Sequence, residues 1–233
     1  MTVSREDLGS LIDRGLVSDV LRMERSFALL ETIGTRAELL NAHEFGNFGE
    51  LFGALQEALQ TECLMAASRI FDPPGRRYPN RGMRHVLSFI RDHADELPAI
   101  AHPQGLKTCL AGTPLELTLM PLVDRGGRDF AIALVDQFSA LIVADDRTNA
   151  IDALRTIRDK AIAHNEQVET VEGPTWQAIA DLIAIAKKLV AALGWAYANT
   201  AYEIDGDFLL TSDAQRPGRA LERLVERLRA GAA

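Results

Sequence analysis

A chain of 233 residues with 47% hydrophobic and 25% charged side chains is long enough to bury one large core. Its net charge of −8, from 25 basic and 33 acidic residues, argues against a general nucleic-acid binder. No apolar run approaches the roughly 20 residues of a membrane span, and the opening MTVSREDLGS has no basic stretch feeding an apolar one. A cytoplasmic protein with no membrane contact is therefore expected.

Ser4, with Asp7 three residues on, forms a capping-box variant before Leu8, Leu11 and Ile12, so a short helix is expected to Arg14 and to end at Gly15. Ser18 is expected to cap a second helix to about His43, with Val20, Leu21, Phe27, Leu30 and Ile33 on its apolar side. A third starts near Asn47 and carries Leu51, Leu55, Leu59, Cys63, Ala66 and Ile70 at helical spacing. Asp72-Pro73-Pro74-Gly75 stops it. Gly82 to Leu97 reads as a helix through Val86, Phe89 and Ile90. From Arg69 to Arg91 there are six arginines against one acid, a local charge of +5. A solvated face is one reading of that charge, and a phosphate-binding rim is the other.

Residues 99–128 are punctuated by Pro103, Gly105, Pro114, Pro121 and Gly126-Gly127. They read as an irregular insertion in the bundle, with short helices near Gly105–Ala111 and Pro114–Val123. Phe130, Leu134, Phe138, Leu141 and Ile142 mark a further helix. Pro174 in a first turn, then Trp176, Ile179, Ile183, Ala186, Leu189, Val190 and Leu193, mark a strongly buried one. Asp205-Gly206 signals a turn, with a small hairpin or an extended tail from Tyr202 to Leu210. A C-terminal amphipathic helix is expected over about 217–230. Cys63 and Cys109 read as reduced core thiols. No Cys or His pair has metal-ligand spacing.

Ile151 to Gln167 reads IDALRTIRDKAIAHNEQ. Ile151, Leu154, Ile157 and Ala161 recur at helical spacing. Arg158, Asp159 and His164 sit near the end of this amphipathic segment. Six residues of helix span roughly 9 Å and about 600° of rotation. Arg158 and His164 thus point roughly 120° apart and make no tight site alone. Either they are unrelated, or a second copy of the helix completes the site. Taken singly, His164 reads as a residue of the apolar stripe or of a helix C-terminus. Asp159 reads as the partner of Arg155 one turn earlier.

The run Arg158-Asp159-Lys160-Ala161-Ile162-Ala163-His164 resembles the signature of the HEPN superfamily, which is Arg, then Asn, Asp or His, then a few residues, then His. With LMAASRIFDPPG (Leu64 to Gly75) and Trp176 to Tyr197, the chain looks like the AbiU-type abortive-infection branch. The resemblance covers about residues 20–200. It implies an all-α fold, an up-and-down helical bundle forming a single domain over 1–233.

The resemblance further implies a metal-independent endoribonuclease without a cofactor, acting as a homodimer in phage defence or a toxin–antitoxin system. RNA is its expected substrate, and a neutralising antitoxin protein is a candidate partner. His164 would be general acid or base on the 2′-hydroxyl or the leaving oxygen. Arg158 would stabilise phosphoryl charge, and Asp159 would orient one of the two. Products would carry 2′,3′-cyclic phosphate ends. Lys160, Asn165, Arg76, Arg77, Arg81 and Arg84 are the expected substrate-binding residues. The alternative is a non-catalytic helical module that binds a protein, nucleic acid or nucleotide.

Overall fold

Ser4 opens the first helix, α1 (Arg5–Leu11), as its spacing to Asp7 requires. The Ser4 hydroxyl accepts from the Asp7 amide at 3.1 Å, and the Asp7 carboxylate accepts from the Ser4 amide at 3.3 Å. This reciprocal pair satisfies two donors that a helix start leaves open. The structure, a computed structural model, describes residues 3–42, 48–73, 81–159 and 173–232.

Gly15 does not end the helix. A π turn over Ile12–Val17 carries the chain straight into α2 (Ser18–Thr35), which starts without a side-chain cap from Ser18. The reason is steric. A Cβ on Gly15 would lie 2.1 Å from the Arg81 Cβ and 2.9 Å from the Arg81 carbonyl oxygen. Glycine serves here for close approach of a distant segment. The helix expected to reach about His43 is divided at Arg36, after which a short α3 (Ala37–Asn41) follows. His43 lies outside the described residues.

Helix α4 (Gly49–Phe71) ends where Asp72 turns extended before Pro73. It packs along α2, with Val20 and Met23 facing Cys63, Ala66, Ala67 and Ile70, all fully buried. A buried Leu, Ile or Phe contributes about 1.5–3 kcal/mol, so this pair is a main support of the fold. Gly82 lets the next helix, α5 (Met83–Asp92), start against the end of α4. A Cβ at Gly82 would meet the Arg69 carbonyl oxygen at 2.4 Å.

Residues 99–128 supply α6 (Pro103–Leu110) and α7 (Glu116–Val123). Their Leu106, Leu110, Leu115, Leu119 and Val123 are buried in the same apolar cluster as α2, α4 and α5. Helix α8 (Gly127–Val143) packs on α5. A break at Ala144 separates α8 from α9 (Asp145–Thr156). Helix α10 (Trp176–Leu193) starts on Thr175, whose hydroxyl accepts from the Ala178 amide at 3.1 Å. Its Ile179, Leu182, Ala186, Leu189 and Leu193 run through the centre of that cluster.

Beyond a π turn at Gly194–Ala198 comes the two-stranded hairpin β1 (Glu203–Ile204) and β2 (Asp207–Phe208). Positive φ at both Asp205 (52°) and Gly206 (85°) gives the turn hand that matches strand twist. The last helix, α11 (Thr211–Ala232), begins well before Pro217, which lies inside it. Its start is pinned by the Thr211 hydroxyl, which shares the Glu24 carboxylate with Lys187. A second, small apolar cluster of Ile33, Leu40, Phe52 and Val225 ties α11 to the end of α2, to α3 and to the start of α4. The architecture is all-α, and no described helix is long and apolar enough to cross a membrane.

Cys63 and Cys109 are free and buried. Burial pushes both thiols up to about 12. Thiolate is the reactive form, so neither cysteine should be alkylated in the native protein near neutral pH, while both react in denaturant. Labelling followed by mass spectrometry checks this. The unfolded chain releases these protons from about 9, whereas the native protein holds them to about 12. Stability from this source is therefore full below the unfolded value and falls as pH rises through that window.

Candidate functional site

The site grows from the end of α9. Ile151 and Leu154 are buried, which fixes the face that α9 turns to the core. The last turn widens to π geometry over residues 157–159, and this carries Arg158 and Asp159 to the edge of the bundle. Arg158 is about three-quarters buried, Asp159 about half.

A carboxylate from elsewhere in the fold meets Arg158 there. Arg158 Nη1 donates to Asp72 Oδ2, and its Nε donates to Asp159 Oδ1 at 2.7 Å. Hydrogen bonding to Asp159, then attraction to Asp72, holds the guanidinium above its ordinary value against the opposing effect of burial. Arg155 also turns to Asp72, with Nε 3.6 Å from Oδ1, and donates from Nη1 to Asp152 at 3.0 Å. The expected pairing of Arg155 with Asp159 is not formed, because Asp72 and Asp152 hold Arg155 while Asp159 holds Arg158.

Asp72 is only 15% exposed. It caps the C-terminal end of α4, its amide donating to the Ser68 carbonyl at 2.8 Å. A carboxylate at that end of a helix faces the negative pole of the dipole. The guanidiniums of Arg155 and Arg158 offset that repulsion. One acid on α4 thereby organises two arginines on and just after α9.

Arg84 approaches the same cluster from α5. Its Nε is buried without a hydrogen-bond partner. Burial and then repulsion by Arg155 pull its guanidinium below the ordinary value, with attraction to Asp152 and Asp72 opposing. Arg81 does not join. It lines a separate cavity of about 590 Å³ with Asp7, Ser10, His85, Phe89 and His93.

Of the residues singled out in the sequence, the described structure thus brings Arg158, Asp159 and Arg84 to one region and sets Arg81 apart. Lys160, His164, Asn165, Arg76 and Arg77 lie outside the described residues. The chain returns to the described residues at Gly173, where an added Cβ would lie 3.2 Å from Ile157 Cδ1. Gly173 thus lies beside the turn that carries Arg158. Asp72, Asp152 and Arg155 escaped the sequence reading. Asp72 had one available signal, since an acid at a helix C-terminus calls for a cation. Among the described residues no group of three His, Cys, Asp or Glu could hold a metal ion.

The HEPN family model AbiU2 matches residues 5–216, and the chain belongs to that family. This makes it a HEPN-type abortive-infection protein. No curated protein and no solved structure matches the chain.

Proposed function

We propose that the protein is a metal-independent endoribonuclease of the HEPN type, acting as a homodimer in phage defence or a toxin–antitoxin system. The observation that carries this reading is the placement of Arg158, held at the edge of the bundle by Asp72 and Asp159 within the family's Arg-to-His element. His164 takes the proton of the RNA 2′-hydroxyl or protonates the leaving oxygen. Arg158 stabilises charge on the phosphoryl oxygens, and Asp159 orients Arg158. The 2′-oxygen attacks the adjacent phosphorus, the 5′-oxygen leaves, and the product is a 2′,3′-cyclic phosphate. Two copies of the element meet across an isologous interface, and a cognate antitoxin would act by covering it. Lys160, Asn165, Arg76, Arg77 and Arg84 are the proposed RNA contacts; Arg81, which lines a separate cavity, is not among them.

The test is incubation of the purified protein with single-stranded RNA in EDTA, with analysis of the product ends. Cyclic phosphate and 5′-hydroxyl ends are expected, and intact RNA would overturn the reading. One observation favours the alternative of a non-catalytic HEPN module. Arg158 already gives Nε and Nη1 to carboxylates, so it must share or release a donor to serve a phosphate. RNA that survives the assay but stays bound would support that alternative.

A further inference from the structure

Arg84 is a poorly satisfied cation among the described residues. It is half-buried on α5 and has neither an ion pair nor a hydrogen bond there, while its Nε is shut away from solvent. Burial is the largest cost to its charge, and repulsion by Arg155 adds to it against a smaller attraction to Asp152 and Asp72. A guanidinium in such surroundings is only partly compensated by the fold. Its position becomes favourable when an anion is present.

Room for that anion exists. Between α5 and α8 lies a groove of about 320 Å³ lined by Arg84, Ser88, Arg91, Ser139, Val135 and Ile142. Arg84, Ser88 and Arg91 recur at helical spacing, so one face of α5 presents them in a row. Arg91 forms an ion pair with Asp136 on α8, and Ser88 donates to Asp92 at 3.3 Å. The groove floor is apolar and its rim is cationic with hydroxyls. Arg84, at one end of the groove, feels the charge of Arg155, which shares the Asp72 carboxylate with Arg158.

We infer that the α5–α8 groove is a phosphodiester-binding track that seats the RNA strand next to Arg158, with Arg84 as its principal phosphate contact. This rests on the endoribonuclease reading for the identity of the strand. The floor of Val135 and Ile142 suits the face of a base or ribose, and Ser139 and Ser88 offer hydroxyls to phosphate oxygens. The same geometry separates Arg84 from Arg81, whose cavity lies against α1. Arg81 has no part in the track.

The test uses the full-length protein and a single-stranded oligoribonucleotide with 2′-O-methyl riboses, which cannot be cleaved. Arg84→Gln should weaken binding about tenfold and lower the slope of log affinity against log salt by roughly 0.7. Ser88→Glu places a carboxylate one helical turn from Arg84. It should weaken binding while raising the melting temperature, because it supplies the missing partner. Arg81→Gln should bind as wild type does. The opposite signs of the two effects of Ser88→Glu distinguish a blocked site from a damaged fold. Wild-type affinity and salt slope in both Arg84→Gln and Ser88→Glu would overturn the inference, as would a wild-type protein that does not bind the oligonucleotide. Arg84-dependent binding by a protein that cleaves nothing in EDTA would leave the track standing and remove the catalytic reading. Cleavage by a protein whose RNA affinity ignores Arg84 would do the reverse.

Discussion

His164→Ala and Arg158→Ala should each lower the proposed metal-independent RNA cleavage by roughly 100- to 10,000-fold, with the helical circular dichroism signal retained. The two act at different atoms. Loss of an imidazole removes proton transfer at the 2′-hydroxyl or leaving oxygen. Loss of the guanidinium removes charge stabilisation on the phosphoryl oxygens. Arg158 is not a member of the main apolar cluster. Arg155→Ala is no neutral control, since Arg155 shares Asp72 with Arg158. Arg216→Ala is one. Arg216, on α11, is about three-quarters exposed and among the described residues pairs with the nearby Asp213. A cleavage rate in His164→Ala equal to wild type would make the Arg-to-His element a relic. Unfolding of His164→Ala would make His164 a core residue.

Asp72→Asn is expected to cost both stability and rate. The exchange keeps the shape but removes the charge that holds two arginines. Exposed ion pairs are worth about 0–1 kcal/mol, and breaking a buried one costs about 3–5 kcal/mol. Asp72 and Arg158 are 15% and 23% exposed, so a loss of about 1–3 kcal/mol is expected between those limits. Urea unfolding measures it. Cleavage should also fall at least tenfold, as Arg158 loses the partner that sets its direction. Asp72→Glu keeps the charge on a longer arm and should restore part of the rate. If Asp72→Asn lowers only the midpoint of unfolding and cleaves as wild type does under native conditions, Asp72 is structural and does not position Arg158.

The helices were legible because apolar residues at helical spacing report a buried face directly. Leu182, Leu189 and Leu193 on α10 and Cys63, Ala66 and Ile70 on α4 are buried for that reason. Stops were less legible. Gly15 and Pro217 are local breakers by rule, yet both lie inside continuous helical paths. At Gly15 the reason is a tertiary approach by Arg81, which no local pattern contains. The candidate site divides in the same way. Arg158 and Asp159 are neighbours in sequence, so their pairing was within reach. Asp72 lies 86 residues before Arg158. Its role depends on how α4 ends against α9, and the Asp-Pro-Pro-Gly run reads only as a stop. Arg84 drew notice from charge density alone. Its separation from Arg81, three residues earlier, required the fold, because the two face different cavities.

The small cluster of Ile33, Leu40, Phe52 and Val225 stands apart from the main one. Cooperativity follows contiguity of packing. The far end of α11, with α3 and the first turns of α4, can therefore open as its own unit while the larger cluster stays closed. Substitutions there subtract from the free energy of that local opening and leave global unfolding little changed. The region that holds Arg158 belongs with the larger unit, since Ile151, Leu154 and the centre of α10 pack together. Sequence drift at one end of the molecule is thereby insulated from the chemistry proposed at the other.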